Sequence, residues 1–243
     1  MCAHNGYQTA IALAEEKLGN LDPAAVTKRT GAVWDGHTYR IPWFGELYDI
    51  SDGKETERIL WLHYLISEGT GQPFLPEPNA EHNHWISYRE IPGAKFYEPK
   101  FIERAVRPLV KRFGHEPEAL VSAGVKLTGK RVKAGDYAVT LYPFPMIPVT
   151  YIIWAGSGRF ASKNVKNIEE ISNVESITTK QPVSLTDATN KINTIIRPVS
   201  GEDTDDDLPP DGNILFDRTA VGWLNAEDMA VLAALGTYKL IKM

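Results

Sequence analysis

The chain has one cysteine, Cys2. It therefore cannot build a disulfide framework or a cysteine-ligated zinc or iron–sulfur centre, and a reducing cytoplasm is the expected setting. Positive charge is not in excess either: 26 Lys and Arg face 31 Asp and Glu, for a net charge of -5. Without a basic footprint, no nucleic-acid partner is expected. No apolar run approaches the ~18–20 residues of a membrane helix. The first residues, Met-Cys-Ala-His-Asn-Gly, carry neither the basic nor the apolar segment of a secretion leader. A soluble protein with no membrane partner is the expectation. Also missing are Gly-x-Ser-x-Gly, a Walker loop, a Gly-x-Gly-x-x-Gly after a strand, and a cysteine nucleophile with a partner. These gaps exclude the motif-bearing forms of common enzyme classes.

What remains is an ordinary globular composition, 43% hydrophobic and 10% aromatic over 243 residues. Apolar positions from Tyr7 to Leu18 recur at helical spacing and end at Gly19. Asp22 followed by Pro23 opens a second helix. Ala32-Val33-Trp34 and Thr38-Tyr39-Arg40-Ile41 flank the Asp35-Gly36 turn, and a further strand over residues 46–50 makes a three-stranded meander. Residues 55–67 form a largely buried helix, with His63 among its apolar positions. The Pro-rich, polar residues 71–83 read as an ordered loop, and residues 85–93 (Trp-Ile-Ser-Tyr-Arg-Glu-Ile-Pro-Gly) as a strand with one apolar face.

A long helix is expected over residues 96–113, kinked or split at Pro108, and another over 117–127. Residues 137–142 and 149–154, joined by a Pro-rich corner, give the clearest antiparallel pair and should sit at the centre of the sheet. From 161 to 211 the chain is polar, with an acidic run at 203–207, and reads as a surface insertion with one short helix near 186–192. A strand at 213–216 and a helix at 229–235, capped from Asn225, complete the chain. The expected architecture is one α+β domain over residues 1–243, a central, mainly antiparallel sheet packed on helices.

Several residue groups point to chemistry. Arg89 and Glu90, flanked by Trp85 and Tyr88, suit a site floored by aromatics in which the guanidinium fork grips a carboxylate or phosphate. The structural alternative pairs Arg89 with Asp217, or Glu90 with a helix lysine, and fixes the sheet register. His82 and His84 share one side of an extended segment, so with Glu81 or the distant His63 they can reach one metal; a solvated loop is the plain alternative. Asp35-Gly36-His37 shares the Asp-x-His opening of cobalamin-binding motifs, but Arg40 stands where that motif has glycine, and a hairpin turn explains it. Asp136, Asp217, Glu227 and Asp228 offer carboxylates that turn and cap roles also explain.

Trp43-Phe44-Gly45, Trp85-Ile86-Ser87-Tyr88-Arg89-Glu90, Phe96-Tyr97, Gly135-Asp136, Ile147-Pro148-Val149, Leu215-Phe216-Asp217 and Glu227-Asp228 run through nearly the whole chain. On these residues it resembles the family catalogued as domain of unknown function 3786, found mostly in anaerobic bacteria and archaea. The resemblance implies a family rather than an activity. Some relatives resemble fusions to an iron–sulfur segment of the kind found in corrinoid proteins, which implies a corrinoid connection; this chain has no such segment. Two departures from the family pattern stand out: Ser157-Gly158-Arg159 replaces an acidic stretch, and the 161–211 insertion precedes Leu215-Phe216-Asp217. The expected function is a small-molecule or cofactor-binding protein, not an enzyme, with its site near Trp85, Tyr88 and Arg89. The alternatives are a metal-assisted enzyme using His82 and His84, and an interaction protein using the acidic insertion.

Overall fold

Asp22 starts α2 (Pro23–Thr30) as its sequence dictates. Its carboxylate accepts the Ala24 and Ala25 N–H groups at 3.2 Å, and Pro23 takes the first helical position, where a missing donor costs nothing. The computed structural model describes residues 2–69, 85–157 and 208–243. Before α2 runs α1 (Cys2–Gly19), which packs along α3 (Glu55–Ile66). Between α2 and α3 lies the expected antiparallel meander of β1 (Val33–Trp34), β2 (Tyr39–Trp43) and β3 (Glu46–Asp49).

The β2–β3 turn places Phe44 at φ 50. A bulky side chain in the left-handed region costs about 1–2 kcal/mol. Tertiary contacts offset this: Phe44 is buried, meets Trp43 edge-on at 4.7 Å, and donates its N–H to the Pro143 carbonyl at 3.0 Å. That bond ties the meander to the main sheet.

The main sheet has five strands, β4 (Trp85–Ser87), β5 (Lys130–Val132), β6 (Tyr137–Phe144), β7 (Ile147–Trp154) and β8 (Asp211–Asp217), in the order β4-β8-β7-β6-β5. Every neighbouring pair is antiparallel, so the fold is α+β as expected. β7 is the middle strand and is buried from Ile147 to Ile153. Its alternate residues part by face: Val149, Tyr151 and Ile153 enter the main core, while Ile152 joins a smaller cluster with Ala134, Ala138 and Leu215. On that second side Thr140 and Thr150 share a buried hydroxyl bond of 2.7 Å.

The structure corrects two sequence expectations and refines a third. The strands run through Pro143 and Pro148 and turn only at Pro145-Met146. A register shift between Leu141 and Phe144 accommodates Pro143, and the β8 partners of β7 begin at Val149, past Pro148. Residues 85–93 are not one strand. β4 ends at Ser87, where the Glu90 carboxylate accepts the Ser87 N–H at 2.7 Å and its hydroxyl at 2.9 Å, turning Tyr88–Glu90 into a 3-10 helix. The long helix is split, as Pro108 led one to expect, but its break lies just ahead of that proline and its first turn starts at Glu98 rather than Phe96: α4 (Glu98–Phe101), a π turn over Ile102–Val106, and α5 (Arg107–Phe113). There the Arg107 N–H reaches the Ile102 carbonyl, a wide turn placed where the Pro108 ring would otherwise meet the carbonyl one turn back.

After α5 comes α6 (Pro117–Lys126), which packs on β6. The last helix, α7 (Ala226–Lys242), is longer than expected and packs against α4, the π turn, α5, α6 and β6. Among the described residues no helix is long and apolar enough to cross a membrane. An aromatic chain of Trp61, Trp43, Phe144, Tyr64 and Trp223 joins meander, α3, sheet and the approach to α7; Tyr64 stacks on Phe144 at 4.2 Å and 12°.

Candidate functional site

The structure distributes the residues of the expected aromatic site. Tyr88 is core: it is 2% exposed, stacks on Phe101 at 4.2 Å and 8°, and donates its hydroxyl to the Ala226 carbonyl at 2.7 Å. Burial pushes its phenol well up, so it stays a neutral anchor between β4 and the start of α7. Trp85 and Asp217 do meet, as register partners across β4 and β8. Asp217 is 1% exposed, and its Oδ1 accepts the Thr219 N–H at 2.8 Å and hydroxyl at 2.5 Å, capping the following 3-10 turn. Arg89 pairs with Glu98 rather than Asp217, and its side chain is 76% exposed. Glu90 is engaged by Ser87. Arg89 and Glu98 instead border an open groove of about 500 Å³ with Ile102, Glu103 and Arg107, in which Glu103 accepts from Lys100 at 2.9 Å.

The remaining carboxylates have local roles. Asp35 accepts the backbone N–H groups of His37 at 2.9 Å and Thr38 at 3.0 Å; these bonds lower its pKa and make the segment a hairpin turn. Asp136 accepts the Ala155 N–H at 2.8 Å. Glu227 accepts the Tyr97 hydroxyl, which raises the Tyr97 pKa. Glu81, His82, His84 and the acidic run at 203–207 lie outside the described residues, as does the short helix expected near 186–192. Among the described residues no three His, Cys, Asp or Glu side chains converge to hold a metal.

A different cluster does converge. His63 on α3 and Asp228 on α7, 165 positions apart, meet through Nδ1 and Oδ2 at 2.8 Å. The same carboxylate oxygen accepts the Asn225 side-chain N–H at 2.8 Å, and the Asn225 side-chain amide oxygen Oδ1 accepts the Asp228 backbone N–H at 3.0 Å. Asn225 thus supplies the helix cap, and the Asp228 side chain is free to hold the imidazole. With Nδ1 fixed on the carboxylate, Nε2 is the nitrogen left for other chemistry. The hydrogen bond to Asp228 raises the His63 pKa, against the lowering effect of burial; the charges of Asp228 and Glu227 add to the rise and Lys17 opposes it.

His63 lines a cleft of about 310 Å³ between α1, α3 and the start of α7, with Lys17, Ser67, Glu68, Trp223, Asn225 and Asp228. Trp223 is 3% exposed, and its buried indole N–H has no hydrogen-bond partner among the described residues. Its ring edge lies so close to Gly69 (φ 63) that a Cβ there would sit 2.7 Å away, so only glycine suits that corner. The other side of the ring meets Tyr64 at 5.0 Å, which ties the cleft wall to the aromatic core.

Sequence reasoning picks out His63 and Asp228 singly, one as a distant metal ligand and the other as a cap carboxylate, but does not pair them. The available signal was His63 itself, a polar residue on an otherwise apolar helix face that needs a buried partner. Comparison with family models matches residues 22–178 and 202–239 to Domain of unknown function (DUF3786). No curated protein and no solved structure matches the chain.

Proposed function

The chain belongs to the DUF3786 family, and from that starting point we propose that it binds a small molecule in the cleft between α1, α3 and the start of α7. The supporting observation is the 2.8 Å bond from His63 to an Asp228 that is 7% exposed and itself held by Asn225. Such a pair is a poor device for stability alone, because desolvating a carboxylate offsets most of what the pairing returns, and an apolar pair would hold two helices as well. It does fix one ring nitrogen at the wall of a concavity, the form a preformed polar contact takes in a ligand site. The Arg89 groove is the weaker candidate, since Arg89 is already paired with Glu98 and is largely solvated.

The test is native mass spectrometry with an ultraviolet–visible spectrum of protein purified without oxygen from its own host. A bound mass is expected in the native chain and in Arg89→Ala, and its loss in His63→Ala. An apo mass, together with no thermal shift from a metabolite library, overturns the reading.

A further inference from the structure

We propose that the outward stripe of α7 docks on the same stripe of a second copy of this chain, the two helices running antiparallel about a twofold axis between Ala234 and Leu235. This contact does not depend on what the His63 cleft binds. It starts from a peculiarity of the helix. Residues 229–238 (Met-Ala-Val-Leu-Ala-Ala-Leu-Gly-Thr-Tyr) carry no charge on any side. A helix that is uncharged all round is normally covered all round.

The described fold covers only part of it. Met229, Leu232, Ala233 and Leu240 are fully buried, Gly236 faces Tyr151, and the Thr237 hydroxyl donates to the Ala105 carbonyl at 3.1 Å. On the opposite side Val231, Ala234, Leu235 and Ile241 are only half-buried, and Tyr238 is 59% exposed. With 3.6 residues per turn these five share one face. Lys239 does not interrupt it, because its ammonium is turned onto the Phe44 ring, 5.2 Å from the centroid.

The charges at the two ends of the stripe select the occupant. Glu227 is exposed at one end, and Lys242 is exposed at the other, where it leans over the Tyr238 ring at 5.5 Å. They lie about 22 Å apart along the axis. A parallel copy would set Glu227 on Glu227 and Lys242 on Lys242. An antiparallel copy sets Glu227 against Lys242 of the partner subunit and Val231 against Tyr238 of the partner subunit, and does so twice. The opposed helix dipoles favour the same direction. Ala234 beside the axis lets the helices approach to the usual 8–10 Å or so. Such a contact is isologous, so one surface serves both copies. A single helix stripe is small beside the roughly 800 Å² per partner of a standard interface, so the dimer should be reversible.

The test is sedimentation velocity of the full chain over a concentration series. A monomer–dimer equilibrium is expected, and it should weaken as salt rises. Tyr238→Lys, at a position whose ring is mostly in solvent, should raise the dissociation constant at least about tenfold. Glu227→Lys and Lys242→Glu should each weaken self-association, since like charges then meet across the axis. An equimolar mixture of those two variants should recover it, because both cross-axis pairs become Lys with Glu again. Circular dichroism checks that each variant is folded. If Glu227→Lys loses structure along with its bond to Tyr97, Tyr238→Lys and Lys242→Glu carry the test. A native chain that stays monomeric at about 1 mM overturns the inference and leaves the stripe to a different protein. A dimer indifferent to Tyr238→Lys and to Lys242→Glu, or folded charge variants that pair no better mixed than alone, also overturns it.

Discussion

At the scale of single residues, His63 is the group with the most to report. Asp228 is the chief cause of its raised pKa, so Asp228→Asn should bring its nuclear magnetic resonance titration back toward or below ~6.5. The sign for stability follows from the direction of the shift. A folded pKa above the unfolded one contributes stability that is fully present below the unfolded pKa and is lost as pH rises through the folded value. Urea unfolding should therefore show the native chain exceeding Asp228→Asn by more on the acid side of that window than on the alkaline side. With the imidazole 31% exposed, the pH-dependent part should be about 1 kcal/mol or less; an equal difference at both ends would remove the ion pair from the account. Residues whose partners lie within four positions were legible in the sequence: Asp22 with Pro23, Asp35 in its turn, Asn225 at its cap. The bond between His63 and Asp228 was not, because its partners are brought together only by the packing of α3 and α7.

Between elements, contact is set by small residues as much as by large ones. Gly236 on α7 faces Tyr151 on β7, and a Cβ there would lie 1.9 Å from the phenol oxygen. The same hydroxyl donates to the Ala233 carbonyl at 3.3 Å, so helix and strand are fitted through one ring. Replacing a helical glycine by alanine ordinarily gains about 1 kcal/mol, whereas overpacking a full core costs roughly 1–3 kcal/mol. Gly236→Ala should accordingly lower stability in denaturant unfolding. Adding Tyr151→Phe should recover only part of the loss, because ring carbon Cζ would still lie 2.8 Å from the new methyl; a stabilised Gly236→Ala would contradict the packing. Periodicity and turn residues exposed most elements, and the β6–β7 pair was the clearest. What they missed followed other rules. Ser87-x-x-Glu90 carried a helix-start pattern inside an apparent strand, and β5 is three residues with two charges, readable only as the partner of β6.

For the whole molecule, the meeting of β7 and β8 matters most. Trp154 faces Asp211 across the ladder, and beyond it Ser157 and Leu208 exchange two bonds: the Ser157 N–H reaches the Leu208 carbonyl at 2.9 Å, and the Leu208 N–H reaches the Ser157 hydroxyl at 3.2 Å. The family match is interrupted at 179–201, between these two points along the chain. Composition marked 161–211 as a polar excursion but gave no sign that its ends are adjacent, since that depends on β8 lying beside β7. Replacing residues 158–207 by a short Gly-Asn link should leave the far-ultraviolet spectrum of the remainder intact and move the thermal midpoint by only a few degrees, because closing a longer or shorter loop changes stability by about 0.6 kcal/mol per doubling. Collapse of the midpoint would show that the stretch supports the fold. A chain that seals its own exit and return in this way has a natural socket: a reporter domain with neighbouring termini could be spliced between Ser157 and Leu208 and carried with the sheet strands left in register.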